Sequence, residues 1–120
     1  TGFGLLGHGL ELARGAGLTA RLDSTKLPVL PGVQALAEQG IFTGASGRNW
    51  ASYGASVELG ASVSDAQKAL LTDPQTSGGL LVSCAPTAVQ QVLKVFADAG
   101  FADAAIVGRM EAGEPKVIVD

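Results

Sequence analysis

The sequence predicts an α+β fold in which helices cover a mixed or largely antiparallel sheet. Three observations carry that expectation. Val89, Val92, Leu93, Phe96 and Ala97 fit the amphipathic-helix template i, i+3, i+4, i+7, i+8. Short apolar stretches of strand length stand at residues 18–23, 80–84, 104–109 and 116–119. The order read along the chain, α-β-α-loop-α and then β-α-β-β, lacks the regular strand–helix alternation of a parallel α/β sheet. A length of 120 residues fits one domain, residues 1–120. With 47% hydrophobic and 16% charged residues, the chain can fill a core and is not a disordered segment.

Residues 3–16 read as the first helix, with Leu5, Leu6, Leu12, Ala13 and Ala16 on one face. Gly7 and Gly9 each weaken it by about 1 kcal/mol relative to alanine, so close packing against a strand or another chain is their expected reason. Gly15 and Gly17 end it. Leu18, Ala20 and Leu22 then alternate with polar residues as a strand. Pro28 and Pro31 punctuate a loop, and Pro31 suits the first turn of a short helix over 32–39 that Gly40 closes. Residues 41–60 show no sustained period and read as a long irregular loop, a place where function concentrates. Ser64 and Gln67 have capping-box spacing and open a helix that runs to Leu71. Residues 80–84 give the best strand and residues 86–99 the best helix, with Gly100 at its C-cap. Residues 104–109 form a strand, Gly113-Glu114-Pro115 a turn, and residues 116–119 its hairpin partner.

The net charge of −3 supplies no basic patch, which argues against a nucleic-acid partner. No apolar run reaches membrane-spanning length and no export signal is visible, so a cytoplasmic protein without a membrane partner is expected. Cys84 is the single cysteine and cannot form an internal disulfide. It reads as a small buried hydrophobe rather than a nucleophile.

The chemistry concentrates at Asp73-Pro74-Gln75-Thr76-Ser77-Gly78-Gly79, just before Leu80-Leu81-Val82. Pro74 fixes one φ, while Gly78 and Gly79 permit positive φ and close approach of a ligand or backbone. Asp73 offers a carboxylate; Gln75, Thr76 and Ser77 offer an amide and two hydroxyls. A polar loop held at the end of a sheet is a usual location for a site. The same residue types also satisfy a turn's own backbone, and that reading stays open for Asp73 and Ser77.

A second candidate is Gly2-Phe3-Gly4-Leu5-Leu6-Gly7, which matches G-x-G-x-x-G at the start of a helix, with Asp23 near the position of a ribose-binding acid. A dinucleotide site is disfavoured on three counts. No strand precedes the glycines, the chain after Asp23 does not alternate, and residues 73–79 stay unexplained. Helix-opening amides without side chains in the way attract phosphate in any case. His8, the single histidine, reads as a hydrogen-bonded packing residue. With no second histidine or cysteine near it, a zinc site has no support. Arg48 and Asn49 pair a guanidinium with an amide. They can clamp a phosphate or carboxylate, or serve as a surface arginine and a turn asparagine.

Three of these stretches resemble signatures of the selenophosphate synthetase (selenide, water dikinase) family, in that family's order. They are Thr1-Gly2-Phe3-Gly4-Leu5-Leu6-Gly7-His8, Ser46-Gly47-Arg48-Asn49 and Asp73-Pro74-Gln75-Thr76-Ser77-Gly78-Gly79-Leu80-Leu81. The resemblance implies the C-terminal domain of the aminoimidazole ribonucleotide synthetase type, truncated at its N-terminus, as a chain opening with Thr rather than Met suggests. It implies an N-terminal ATP-binding domain as partner, and a homodimer. It implies ATP and Mg²⁺ as cofactors of the full-length protein, with none bound to this fragment. The product would be selenophosphate, made with AMP and phosphate from selenide, ATP and water. The family's reactive Cys and Lys, and its metal-binding Asp residues, fall outside this chain, so the fragment alone is expected to be inactive. Thr1, Gly2, Gly4, Arg48, Asn49, Asp73, Gln75, Thr76 and Ser77 are implied to line a substrate or phosphate cleft. Relatives in purine synthesis, thiamine phosphorylation or hydrogenase maturation are alternatives, as is a non-catalytic binding module; Gln75 within its motif favours the selenium branch.

Overall fold

The core forms where α1 (Gly4–Ala16) packs on a four-stranded sheet in the computed structural model, which describes residues 1–120. The strands are β1 (Thr19–Leu22), β2 (Val57–Leu59), β3 (Gly108–Glu111) and β4 (Val117–Val119), in spatial order β2-β4-β1-β3. β4 runs parallel to both β1 and β2, and β3 runs antiparallel to β1. The sheet is therefore mixed. Its register aligns Ala20 with Val117 and Leu22 with Val119, and sets Val57 beside Val117. Because side chains alternate along a strand, these residues share the face that meets Leu6, Leu10 and Ala13 of α1. Leu6, Ala13, Val117 and Val119 are wholly buried.

The opposite face carries charge. Arg21 donates to Glu111 at 3.0 Å and to Asp120 at 2.8 Å, and Lys116 donates to Glu58 at 2.6 Å. These hydrogen bonds hold the Arg21 guanidinium above its ordinary pKa, Asp120 contributing most, and hold Glu111 below the usual carboxylate range through Arg21. No helix is long and apolar enough to cross a membrane.

The remaining helices are α2 (Val33–Glu38), α3 (Gly44–Tyr53), α4 (Asp65–Leu71) and α5 (Val89–Asp98). The capping box forms as expected. Ser64 accepts from the Gln67 amide at 3.2 Å, and the Gln67 side chain accepts from the Ser64 amide at 2.8 Å. Gly100, at φ 90°, follows α5, and the Phe101 amide closes back on the Phe96 carbonyl at 2.9 Å.

Several expectations are corrected. Residues 41–60 are not an irregular loop; they hold α3 and β2. The inward face of α3 is Ser46, Asn49, Trp50 and Tyr53, which has helical spacing but is half polar, so an apolar template misses it. Residues 80–84 are not a strand. β1 has both sides occupied by β3 and β4, and the 80–84 backbone forms no ladder bonds. Leu80 is 81% exposed. Cys84 is exposed, not buried. The strand expected at 104–109 begins only at Gly108. β3 and β4 are not hairpin partners, because β1 lies between them. Positive φ in the polar loop falls on Ser77, at 52°, not on Gly78 or Gly79. Finally, the apolar stripe of α5 forms with the expected period, yet no residue of that helix is fully buried.

Candidate functional site

The opening glycine segment and the loop after α4 meet at one edge of the fold, and α3 joins them. Gly2 and Gly4 adopt φ 88° and 71°, which side-chain-bearing residues disfavour. This backbone lets the chain turn into α1 against the other loop. A Cβ on Gly2 would sit 3.8 Å from the Pro74 side chain. A Cβ on Gly4 would lie 2.8 Å from the Thr72 carbonyl carbon and 3.0 Å from the Asp73 oxygen.

Asn49 ties the two segments together. Its amide nitrogen donates to the Gly2 carbonyl at 2.7 Å and to the Thr72 carbonyl at 2.9 Å. Both side-chain hydrogens are spent on backbone, so Asn49 shapes the site rather than reaching a ligand with its donors. Helical geometry puts Asn49 and Ser46 on the same face. Ser46 is buried; its hydroxyl donates to the Thr72 hydroxyl and lies 3.0 Å from the Ala69 carbonyl. Thr72 in turn donates to the Lys68 carbonyl at 2.8 Å. The last turn of α4, and with it the start of the polar loop, is thereby fixed to α3.

Tyr53 completes the support. Its hydroxyl donates to the Phe3 carbonyl at 2.7 Å, and burial pushes its pKa up, keeping the phenol a neutral donor. Gly7 explains itself here: a Cβ would lie 3.1 Å from the Tyr53 ring. Gly9 faces the sheet, 3.7 Å from Val117 and 4.0 Å from Leu22. The two glycines serve one helix–helix and one helix–sheet approach, as their energetic cost required.

The other residues singled out by sequence fall into two groups. The Asp73 carboxylate accepts from the Thr43 hydroxyl at 3.2 Å, and the Thr1 hydroxyl lies 2.7 Å from His8 Nε2. Gln75, Thr76 and Ser77 are exposed and make no side-chain hydrogen bond, which leaves their polar groups open at the rim. The Arg48 side chain is exposed on α3 and forms no ion pair. Sequence reasoning missed Thr43, Thr72 and Tyr53. Only the adjacency of Thr72 to Asp73 was available as a signal.

Phe3, the N-cap of α1, makes no side-chain capping hydrogen bond, so no side chain of the N-cap satisfies the first-turn amides. No group of three or more His, Cys, Asp or Glu side chains is placed to hold a metal ion.

Comparison with known proteins gives a consistent result. The family described as AIR synthase related protein, C-terminal domain, matches residues 1–120. The chain is 81% identical over 119 residues to a protein of Pseudomonas straminea named selenide, water dikinase. Proteins of the same name from Paraburkholderia xenovorans and Rhizobium meliloti are 62% and 52% identical over the same length. Each alignment covers 99% of this chain and 33–34% of the relative, so the chain spans about a third of the length of these relatives.

Proposed function

The chain belongs to the family of the AIR synthase related protein C-terminal domain, and from that premise we propose that it is the C-terminal part of a selenide, water dikinase. The whole protein would make selenophosphate, AMP and phosphate from selenide, ATP and water. The observation that carries this reading is 81% identity over 119 residues to a protein of that name. The meeting of two sequence signatures at one edge, tied by Asn49 of the third, supports a shared cleft.

In this reading the chain supplies one wall of a phosphate cleft. The uncapped amides of α1 meet phosphate oxygens, where a helix N-terminus favours negative charge. Gln75, Thr76 and Ser77 offer further donors from the opposite rim. Asp73 is oriented by Thr43, and Arg48 lends positive charge from α3. Mg²⁺, when bound, neutralises phosphate charge; its ligands would come from the ATP-binding domain that faces this wall. The working protein would be a cytoplasmic homodimer, which light scattering on the full-length protein checks.

The test is AMP release from ATP with selenide and Mg²⁺. The full-length protein turns over and the 120-residue chain alone does not. Full-length protein that forms no AMP in response to selenide would reject the assignment. Turnover by the purified chain alone would place the catalytic groups within it and reject the wall role.

A further inference from the structure

We propose that His8 and Glu11 form a positioning relay that fixes the Thr1 hydroxyl as a hydrogen-bond acceptor toward the cleft. The proposal rests on the cleft reading of Thr1 given above. His8 Nε2 lies 2.7 Å from the Thr1 hydroxyl oxygen, and His8 Nδ1 lies 2.8 Å from a Glu11 carboxylate oxygen. The Phe3 amide also donates to the Thr1 oxygen, at 3.2 Å.

With the imidazole neutral, these three contacts fix the hydrogen positions. An ionised carboxylate only accepts, so Nδ1 of His8 carries the hydrogen shared with Glu11. In the neutral imidazole Nε2 then has none, and it accepts the Thr1 hydroxyl proton. Thr1 therefore gives its one hydrogen inward, to His8, and takes the Phe3 amide on one lone pair. The remaining lone pair is what Thr1 can offer a ligand. A bare phosphate oxygen would meet lone pair against lone pair there. The ligand class that fits is a hydrogen-bond donor, of which water is the smallest. Phosphate contact is left to the α1 amides. The Phe3 ring flanks His8, with ring centroids 6.3 Å apart and planes at 66°. Glu11 makes no other hydrogen bond, and its side chain is 63% exposed, so its part in the relay can be removed without opening the core.

Two measurements on the full-length protein test this. The first is the tautomer of the neutral His8 ring, read by ¹⁵N NMR and assigned by its loss in His8→Gln. The relay predicts the Nδ1–H form in the parent and its loss in Glu11→Ala. An Nε2–H form in the parent, or the same tautomer in Glu11→Ala, overturns it. The second is a double-mutant cycle on selenide-dependent AMP formation with Thr1→Val and His8→Gln. Residues acting as one unit give single losses in kcat/KM of about tenfold and a double mutant no worse than the weaker single. Losses that multiply, to about a hundredfold in the double mutant, overturn the relay. The tautomer measurement needs no turnover, so it still decides the relay if selenide-dependent AMP formation is absent and the dikinase assignment fails.

Discussion

Replacing Gly4 by alanine strains the backbone and crowds the contact that joins the two signature segments. Gly4 sits at φ 71°, and the left-handed region costs a residue with a Cβ roughly 1–2 kcal/mol. The new methyl would lie 2.8 Å from the Thr72 carbonyl carbon, 2.9 Å from its oxygen and 3.0 Å from the Asp73 oxygen. All three are backbone atoms, and Thr72 is further anchored through its hydroxyl to Lys68 and through its carbonyl to Asn49. Overpacking a rigid contact of this kind costs about 1–3 kcal/mol. The combined loss is therefore about 2–5 kcal/mol. With a urea slope of about 1–3 kcal/mol/M, the unfolding midpoint should fall by about 0.7–5 M. Gly15→Ala is the internal comparison. Gly15 lies in α1 with no atom within 4 Å of a built Cβ, so alanine there should gain up to about 1 kcal/mol from helix propensity. A loss under about 0.5 kcal/mol for Gly4→Ala, or greater damage from Gly15→Ala, would refute the reasoning.

Asn49→Ala should cost about 1–3 kcal/mol in the same assay, because the Gly2 and Thr72 carbonyls lose their donor; Asn49→Asp should not restore it, since a carboxylate faces both carbonyls as another acceptor. Thr76 makes no side-chain hydrogen bond, so Thr76→Ala should change stability by less than about 0.5 kcal/mol, while Asp73→Ala loses only an exposed contact to Thr43. In the full-length protein both should lower kcat/KM by about tenfold or more, and unchanged kinetics would reduce the loop to a turn. Stability should be lost on acidification below about pH 4. The Thr25 hydroxyl, then Lys26, holds Asp23 at about 2 against an ordinary 3.8, and Arg21 lowers Glu111. A depressed carboxylate stabilises the fold above its unfolded pKa and loses that contribution as pH falls through its folded one. A melting-temperature profile from pH 6 to 2 should fall over the lower part of this range, and Asp23→Asn should flatten part of that limb; an unaltered limb in the mutant would show that Asp23 is not involved.

Much of this arrangement is legible in local sequence signals. The capping box at Ser64 and Gln67 and the C-terminal stop at Gly100 depend on near neighbours, and both form; of the face expected on α1 only Leu6 and Ala13 are buried, Ala16 is exposed, and Leu10 joins the core instead. Gly7 and Gly9 announce close contacts because glycine in a helix is otherwise costly, although their partners, Tyr53 and Val117, are far along the chain. The failures share a cause. A strand is a property of a pair, so the apolar run at 80–84 could not declare that it would find no partner, nor β3 and β4 that β1 would separate them. Asn49 illustrates a different blindness. Its position on a helix is hidden because Ser46 and Asn49 bury polar groups on the inward face, where their hydrogen bonds substitute for apolar contact. A shared cleft for residues 1–4 and 73–79 is what the family resemblance implies, and the contact falls at residues 72–74; the residue that joins the two segments could be named only from the structure.

The position of β4 has a consequence for how the chain reaches this state. β4 is the only strand that touches β2, and it is also the parallel neighbour of β1, so residues 117–119 form the seam of the sheet. The Arg21–Asp120 contact spans 99 positions, and closing a loop of that size costs about 4 kcal/mol by chain statistics alone. During synthesis, α1 and the helices that follow it can form while β2 still has no neighbour. The sheet can register in full only once residues 117–119 are available, so folding of this chain should be slow for its size. Until then the apolar faces of α1 and β1 lack the valines that cover them, and a nascent chain stalled before residue 117 should be the form that chaperones hold.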